Sequence, residues 1–177
     1  MEFERVVKRR RMCREYTDQD VTDDQVETIL DLAARFPSAG HTQPQEFIVV
    51  RDQSVKEDLG HAALDQMFLA DAPVVIAVVS DTQRSKAVYG RRGVEFYSIT
   101  DGAFASMLVL LAAVDLGLGA AFVAAFDDDA VSRVLGLPRH VRPIGLIAIG
   151  HCAEGPERHR RRHRREIVHL DRYGSHP

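Results

Sequence analysis

Residues 9–16, RRRMCREY, place four arginines and a tyrosine in eight positions. Arginine's planar fork donates in pairs to phosphate and carboxylate oxygens, so this spacing suits an anion site. A basic run can equally be a solvated face, and charge alone does not separate the two. A second stretch, PSAGHTQP (Pro37–Pro44), cannot be regular structure, because two prolines and a glycine interrupt it. It sets Ser38, His41 and Gln43 on an irregular loop, where binding groups often sit.

Charge is distributed unevenly. Residues 1–16 carry six Lys/Arg against three acidic residues, and residues 158–177 carry seven Arg against two, while the whole chain is at −3. The body between the two ends is therefore acidic. With a pI near 6.2, this differs from the continuous basic surface of a nucleic-acid binder, and no aromatic residues alternate with the tail arginines for base stacking. Two small basic ends suit a small anionic ligand if folding or dimerisation brings them together. His159 and His163 stand four apart, but no HExxH pattern joins them and arginines surround them, so no metal is expected. Cys13 beside arginines can be a reactive thiol or simply a packed small residue. Cys13 and Cys152 form no framework, which favours a reducing cytoplasm. No apolar run reaches the length of a membrane span, and no signal peptide opens the chain.

The elements that must position these residues follow from periodicity. Residues 2–11 predict a helix with Phe3, Val6 and Val7 inward. Thr22 and Gln25 make a capping box for a helix carrying Val26, Ile29, Leu30 and Ala33, which ends at Pro37. Glu46–Val50 is a strand, and Ser54 with Glu57 caps a helix to about Ala63. Val74–Val79, six apolar residues in a row, is a strand buried on both faces. Residues 80–100 are polar, read as a loop or weak helix, and are the place for a mobile cover. Asp101 begins a helix apolar nearly all round, with Phe104, Met107, Leu108 and Leu111, buried centrally or against a second subunit. Gly117–Gly119 stops it. A strand follows at Ala120–Phe126, then a helix capped by Asp127 and closed by Gly136, then the strand Pro143–Gly150. Residues 1–177 read as one α+β domain.

Taken in order, RRRMCREY, PSAGHTQP after a capped helix, an apolar helix ending in GLG, and GLPRHVRPIGLIAIGHC (Gly136–Cys152) resemble the nitroreductase-like flavoproteins, over residues 4–169. The resemblance implies an α+β nitroreductase-like fold, with a mainly antiparallel central sheet flanked by helices, in an intertwined homodimer holding FMN at its interface. Residues 158–177 would be an arm reaching the partner subunit. The implied chemistry is two-electron transfer from NAD(P)H through the flavin to a small acceptor such as a nitroaromatic or quinone. Two alternatives remain: a flavin-binding protein with little turnover, and an enzyme using reduced flavin or deazaflavin as a dissociable substrate. Arg10, Arg11 and Arg14 match the family's phosphate and ribityl ligands, with Met12 where a serine is usual. Pro37, Ser38 and Ala39 match the loop against the isoalloxazine ring. His41 replaces the commoner asparagine, and Gln43 matches the glutamine before Pro44. Gln45 stands where an aromatic is frequent, leaving that side of the pocket more open or polar. Backbone at Val123, Ala124 and Ala125 would approach the reactive face, and Arg161 is favoured as the tail's phosphate arginine. No residue is expected to act as a general acid or base, since the flavin carries the chemistry.

Overall fold

The computed structural model describes residues 1–155 and 160–176. Four strands form one sheet in the order β1-β2-β4-β3, with every neighbouring pair antiparallel: β1 (Gln45–Val50), β2 (Val74–Asp81), β4 (Val141–Gly150) and β3 (Gly119–Val123). Side chains alternate across a strand, and the apolar run of β2 feeds both faces. Val74, Ile76 and Val78 enter one core with Ile147 and Ile149 of β4. Val75 and Ala77 enter the other with Leu146 and Ala148. The first face is covered by α2 (Asp23–Ala33) and α6 (Ser98–Asp115), the second by α3 (Gln53–Ala62), α4 (Phe68–Asp71) and α7 (Asp128–Val134). The central strands are thus dry on both sides, as an uninterrupted apolar run requires.

Local signals explain most boundaries. Thr22 and Gln25 form the reciprocal capping box at the start of α2. Asp127 accepts the Ala130 N–H at 2.7 Å. Gly117 and Gly136 have φ of +81° and +65°. Each closes its helix with the paired 6→1 and 5→2 hydrogen bonds of a Schellman motif.

Several expectations change. Asp52, not Ser54, caps α3, accepting from Val55 N, and Ser54 instead donates to Asp52. Aspartate and serine are comparable caps, and here the Asp52 carboxylate also meets the helix dipole. In α1 (Phe3–Arg9) only Val6 is buried; Phe3 is 74% exposed and Val7 is exposed. β3 ends at Val123, three residues early, because Gln66 Nε2 and the Ala62 carbonyl engage Ala125 O and Asp127 N. Of the two readings open for residues 80–100, loop or weak helix, the helical one holds over 82–97. These residues form α5 (Thr82–Arg92) and a π turn (Gly93–Tyr97) running directly into α6. A kink at Gly90, φ +54°, breaks the periodicity. The helical run Thr82–Asp115, 34 residues, is long and apolar enough to cross a membrane, contrary to expectation. Much of it is instead packed on the sheet as the core helix. Phe104 and Met107 face outward from α6 and are half exposed, rather than belonging to the core.

Candidate functional site

The basic stretch lies along the outer edge of β3. Met12 bridges Ala120 in parallel fashion, Cys13 N donates to Ala120 O at 3.1 Å, and Phe122 N points at Met12 Sδ, 3.4 Å away. Tyr16 pairs with Cys152 beyond the end of β4, and its hydroxyl donates to Cys13 O at 2.6 Å. Burial, helped by the Glu154 carboxylate, pushes the Tyr16 hydroxyl far above its usual range, so it stays a donor.

The arginines divide here. Arg11 spends its guanidinium on the segment after β4: it donates to Gly155 O, to Glu154 O at 2.6 Å, and towards Cys152 Sγ at 3.3 Å. The guanidiniums of Arg10 and Arg14 have no hydrogen-bonding partner among the described residues. Arg14 rests its guanidinium 5.8 Å from the Phe68 ring centre and uses its backbone N–H on Glu154 Oε1. Cys13 and Cys152 are joined in a disulfide. The expectation of two unlinked cysteines therefore fails, and with it the argument from cysteine usage for a reducing compartment. The partners are 139 residues apart in the chain, a pairing that spacing alone does not reveal.

The second set sits where β1 begins. Residues 37–43 wind through left-handed backbone at Gly40, His41 and Gln43, with φ of +53°, +55° and +46°. Gly40 takes this backbone without strain, and a Cβ there would stand 2.4 Å from the Tyr89 hydroxyl, which would have to move. Two non-glycine residues in this region are strained and must be held by their surroundings. Ser38 Oγ accepts from Gln43 N at 3.0 Å, Arg84 Nε donates to Thr42 O at 2.9 Å, and Asp101 Oδ2 accepts from Ala39 N at 3.1 Å. Pro37, His41 and Gln43 are exposed, and Ser38 and Ala39 half exposed. Gln45 opens no pocket. Its side chain is buried, donating to Ser98 O at 3.1 Å and towards Ser80 Oγ.

Asp101 is the residue the sequence leaves hidden. It lies three residues inside α6, only 2% exposed. Burial pushes its carboxyl above the ordinary range, partly opposed by the Ala39 N–H. Its signal in the sequence is an acid directly before the apolar stretch of the helix, away from the acid at its far end, Asp115. A raised folded-state pKa means the charged form is penalised. That penalty is absent below the unfolded pKa and accrues as pH rises through the folded one. Asp101→Asn keeps an acceptor for Ala39 and removes the charge. It should match the parent's melting temperature near pH 3.5 and exceed it near pH 7.5. A parent that gains on the variant as pH rises would mean the carboxylate is ion-paired instead.

Val123 is buried at the end of β3, and Ala124 and Ala125 are exposed just beyond it. Their backbone is fixed by Gln66, whose Nε2 spans Ala63 O at 2.8 Å and Ala125 O at 3.1 Å. Arg161 is exposed, and hydrogen bonds of the described tail run within the tail itself. His159 lies outside the described residues. The loop at the start of β1 and the basic stretch beside β3 occupy opposite edges of the sheet. Three strand spacings of about 4.8 Å separate those edges. One chain therefore does not gather both sets around one small ligand.

An antiparallel four-stranded sheet between helical layers, with an arginine-lined edge and a strained loop at the opposite edge, defines an α+β protein. The Nitroreductase family model matches residues 7–69 and 61–151. A relative from Methanothermobacter thermautotrophicus, provisionally named an NADH dehydrogenase/NAD(P)H nitroreductase, is 33% identical over 160 residues, 88% of this chain and 80% of its own. The FMN reductase [NAD(P)H] of Bacillus subtilis is 26% identical, over 92% of this chain and 71% of its own. The solved structure of Bacillus megaterium NfrA2 superposes with a TM-score of 0.92 at 25% identity, over 98% of this chain and 76% of that one. The chain belongs to the nitroreductase family.

Proposed function

We propose that this chain is an FMN-dependent oxidoreductase that passes two electrons from NAD(P)H to a small organic acceptor of nitroaromatic or quinone type. The observation that carries this is the presentation of Arg10 and Arg14 along the β3 edge, without hydrogen-bonding partners among the described residues. Two guanidiniums on an exposed edge are a donor set fitted to a phosphate monoester, and the names of the similar proteins supply the flavin. Bound flavin supplies the hydride and electron chemistry. Arg10 and Arg14 would hold its phosphate, with Met12 packed beneath. Arg11 serves first to fix the stretch to the Glu154–Gly155 backbone. Pro37, Ser38, Ala39, His41 and Gln43 would orient the ring. The backbone at Val123 and Ala124 would face it, with small side chains leaving room for a substrate.

The separation of the two sets across the sheet supports a homodimer, in which the loop of one subunit completes the site begun by the arginines of the other. The arm at 158–177 fits the same assembly. Ile167, Leu170 and Tyr173 are exposed on it, as are Phe3, Phe104 and Met107 on the body. A surface this apolar in a monomer marks an interface. Arg161 would reach the partner's phosphate site. Residues 1–177 would act as one domain in each subunit. Cytoplasmic action stays part of the proposal, without support from the cysteines.

Purified protein should be yellow, or turn yellow with FMN, and bleach when NADH or NADPH is added anaerobically. A protein that stays colourless with added FMN would sink the proposal. Phe104→Glu should halve the mass seen by light scattering and lower FMN retention with it, since a charge in an apolar interface goes unpaired. An unchanged dimer would place the interface elsewhere.

A further inference from the structure

We infer that the Cys13–Cys152 disulfide is a reducible site, opened by a dithiol, that sets how tightly the basic stretch holds its phosphate ligand. The inference rests on the flavin phosphate assignment above. Its starting point is position: the bridge falls inside the arginine stretch, between Met12 and Arg14, and ties it to the end of β4. The bridge lies flat on the first residue of β3. A Cβ on Gly119 would stand 2.8 Å from Cys13 Sγ and 2.9 Å from Cys152 Cβ, so only glycine admits the paired sulfurs there.

The two sulfurs are unequal, which fixes the order of exchange. Cys13 is 0% exposed, while Cys152 is only half buried. Thiol–disulfide exchange needs access for the attacking thiolate as well as a good leaving group. An incoming dithiol therefore attacks Cys152 Sγ. The S–S bond breaks, a mixed disulfide forms on Cys152, and Cys13 leaves with the electron pair and takes up a proton. Glu15 O, 3.3 Å from Cys13 Sγ, is in place to accept a hydrogen bond from the thiol so formed. The reductant's second thiolate then attacks its own sulfur in the mixed disulfide and expels Cys152. The dithiol is oxidised to a disulfide, and the protein gains two electrons.

The reduced state differs in charge where it matters. Arg11 Nη2 is already 3.3 Å from Cys152 Sγ, and a guanidinium at that distance stabilises a thiolate. Opening the bridge thus adds a negative charge beside the arginines and cancels that of Arg11. It also removes the covalent tie that holds Arg10 and Arg14 against the sheet. Both effects weaken anion binding. The same place brings Cys13, Cys152 and Glu154 ligand atoms within 4.8 Å of one another. With the sulfurs bonded together and Arg11 alongside, a cation is excluded from it.

The test uses the full chain, air-oxidised and then treated with dithiothreitol, with free thiols counted by alkylation and mass spectrometry and FMN affinity measured by fluorescence. No thiol should be alkylated before reduction and both after it. FMN binding should weaken about tenfold, the effect of one lost charge-assisted hydrogen bond, and recover on reoxidation. Cys152→Ala loses the tie but gains no thiolate, so it should bind FMN more weakly than the oxidised parent, no more weakly than the reduced one, and ignore dithiothreitol. Two thiols alkylated in the folded, untreated protein would overturn the inference. So would equal FMN affinity in the two states once the thiol count proves conversion. FMN binding in neither state would instead bring down the flavin assignment, and the inference with it.

Discussion

Replacing Arg10 and Arg14 together with alanine should leave a folded, colourless protein that no longer retains FMN. Neither guanidinium has a hydrogen-bonding partner among the described residues, and Arg14 only rests over the Phe68 ring, so removal orphans no buried polar group and should cost little stability. Each is expected to contribute about 1.5–3 kcal/mol to phosphate binding, the value of a charged hydrogen bond. That is roughly 10- to 150-fold in affinity for one, and about a hundredfold or more for both. The loss should shrink at high salt, because exposed charges are screened over about 8–10 Å. Arg11→Ala should behave differently. It removes the donors to Glu154 O and Gly155 O, so melting temperature should fall along with FMN affinity. Fluorescence titration beside a melting curve separates the two kinds of arginine. If Arg11→Ala loses FMN with no change in melting, its bonds to the segment after β4 carry no structural weight.

The second large effect concerns the fold beneath the site. Gly145 lies mid-strand in β4, where a Cβ would stand 2.1 Å from Phe122 Cε2. The ring lies across the glycine and has to move if Gly145→Ala is made. Overpacking of this kind costs about 1–3 kcal/mol, or more where backbone must yield. For a chain of this size that is roughly 2–12 °C of melting temperature. Phe122 belongs to β3, and its N–H meets Met12 Sδ, so the displacement should also reach the basic stretch and weaken FMN binding. A Gly145→Ala protein that melts like the parent would mean the ring has room to turn. The neighbouring Ile144 is the extra residue of a bulge opposite Val78 and Val79. It packs against Gly102 of α6, where a Cβ would meet it at 2.7 Å. The same helix thus carries Asp101 to Ala39 and rests on the bulge one residue later.

Much of this was legible from single residues. The run Val74–Val79, short and mostly β-branched, indicates a strand buried on both faces, and Thr22 with Gln25 states a helix start that no tertiary contact needs to enforce. The two glycine stops are equally local. What stayed hidden depends on distant chain segments. The pairing of Cys13 with Cys152 needs β3 and β4 to be adjacent first. Phe104 and Met107 are apolar whether they meet a core or a partner, so periodicity cannot tell the two apart. Residues 82–97 are polar enough to look like loop, yet Ser85 and Gly93 pack so closely that a Cβ on Gly93 would stand 2.2 Å from Ser85 O. At the candidate site, residue types identified the arginines, but only the fold shows that Arg11 is turned inward and that Asp101 supports the loop from below.

The placement of the basic stretch against β3 has a consequence beyond ligand binding. β3 is the last strand of the sheet and reads GAAFV, short, apolar and without charge. An open edge of that kind is a template for pairing with other chains and for aggregation, which folded proteins suppress by charge or by cover. Here residues 12 and 13 supply the cover and the flanking arginines the charge. The segment that would grip the cofactor is therefore also the sheet's guard. Any change that frees it from β3, by mutation or by reduction, should raise the protein's tendency to aggregate as well as lower its affinity for FMN.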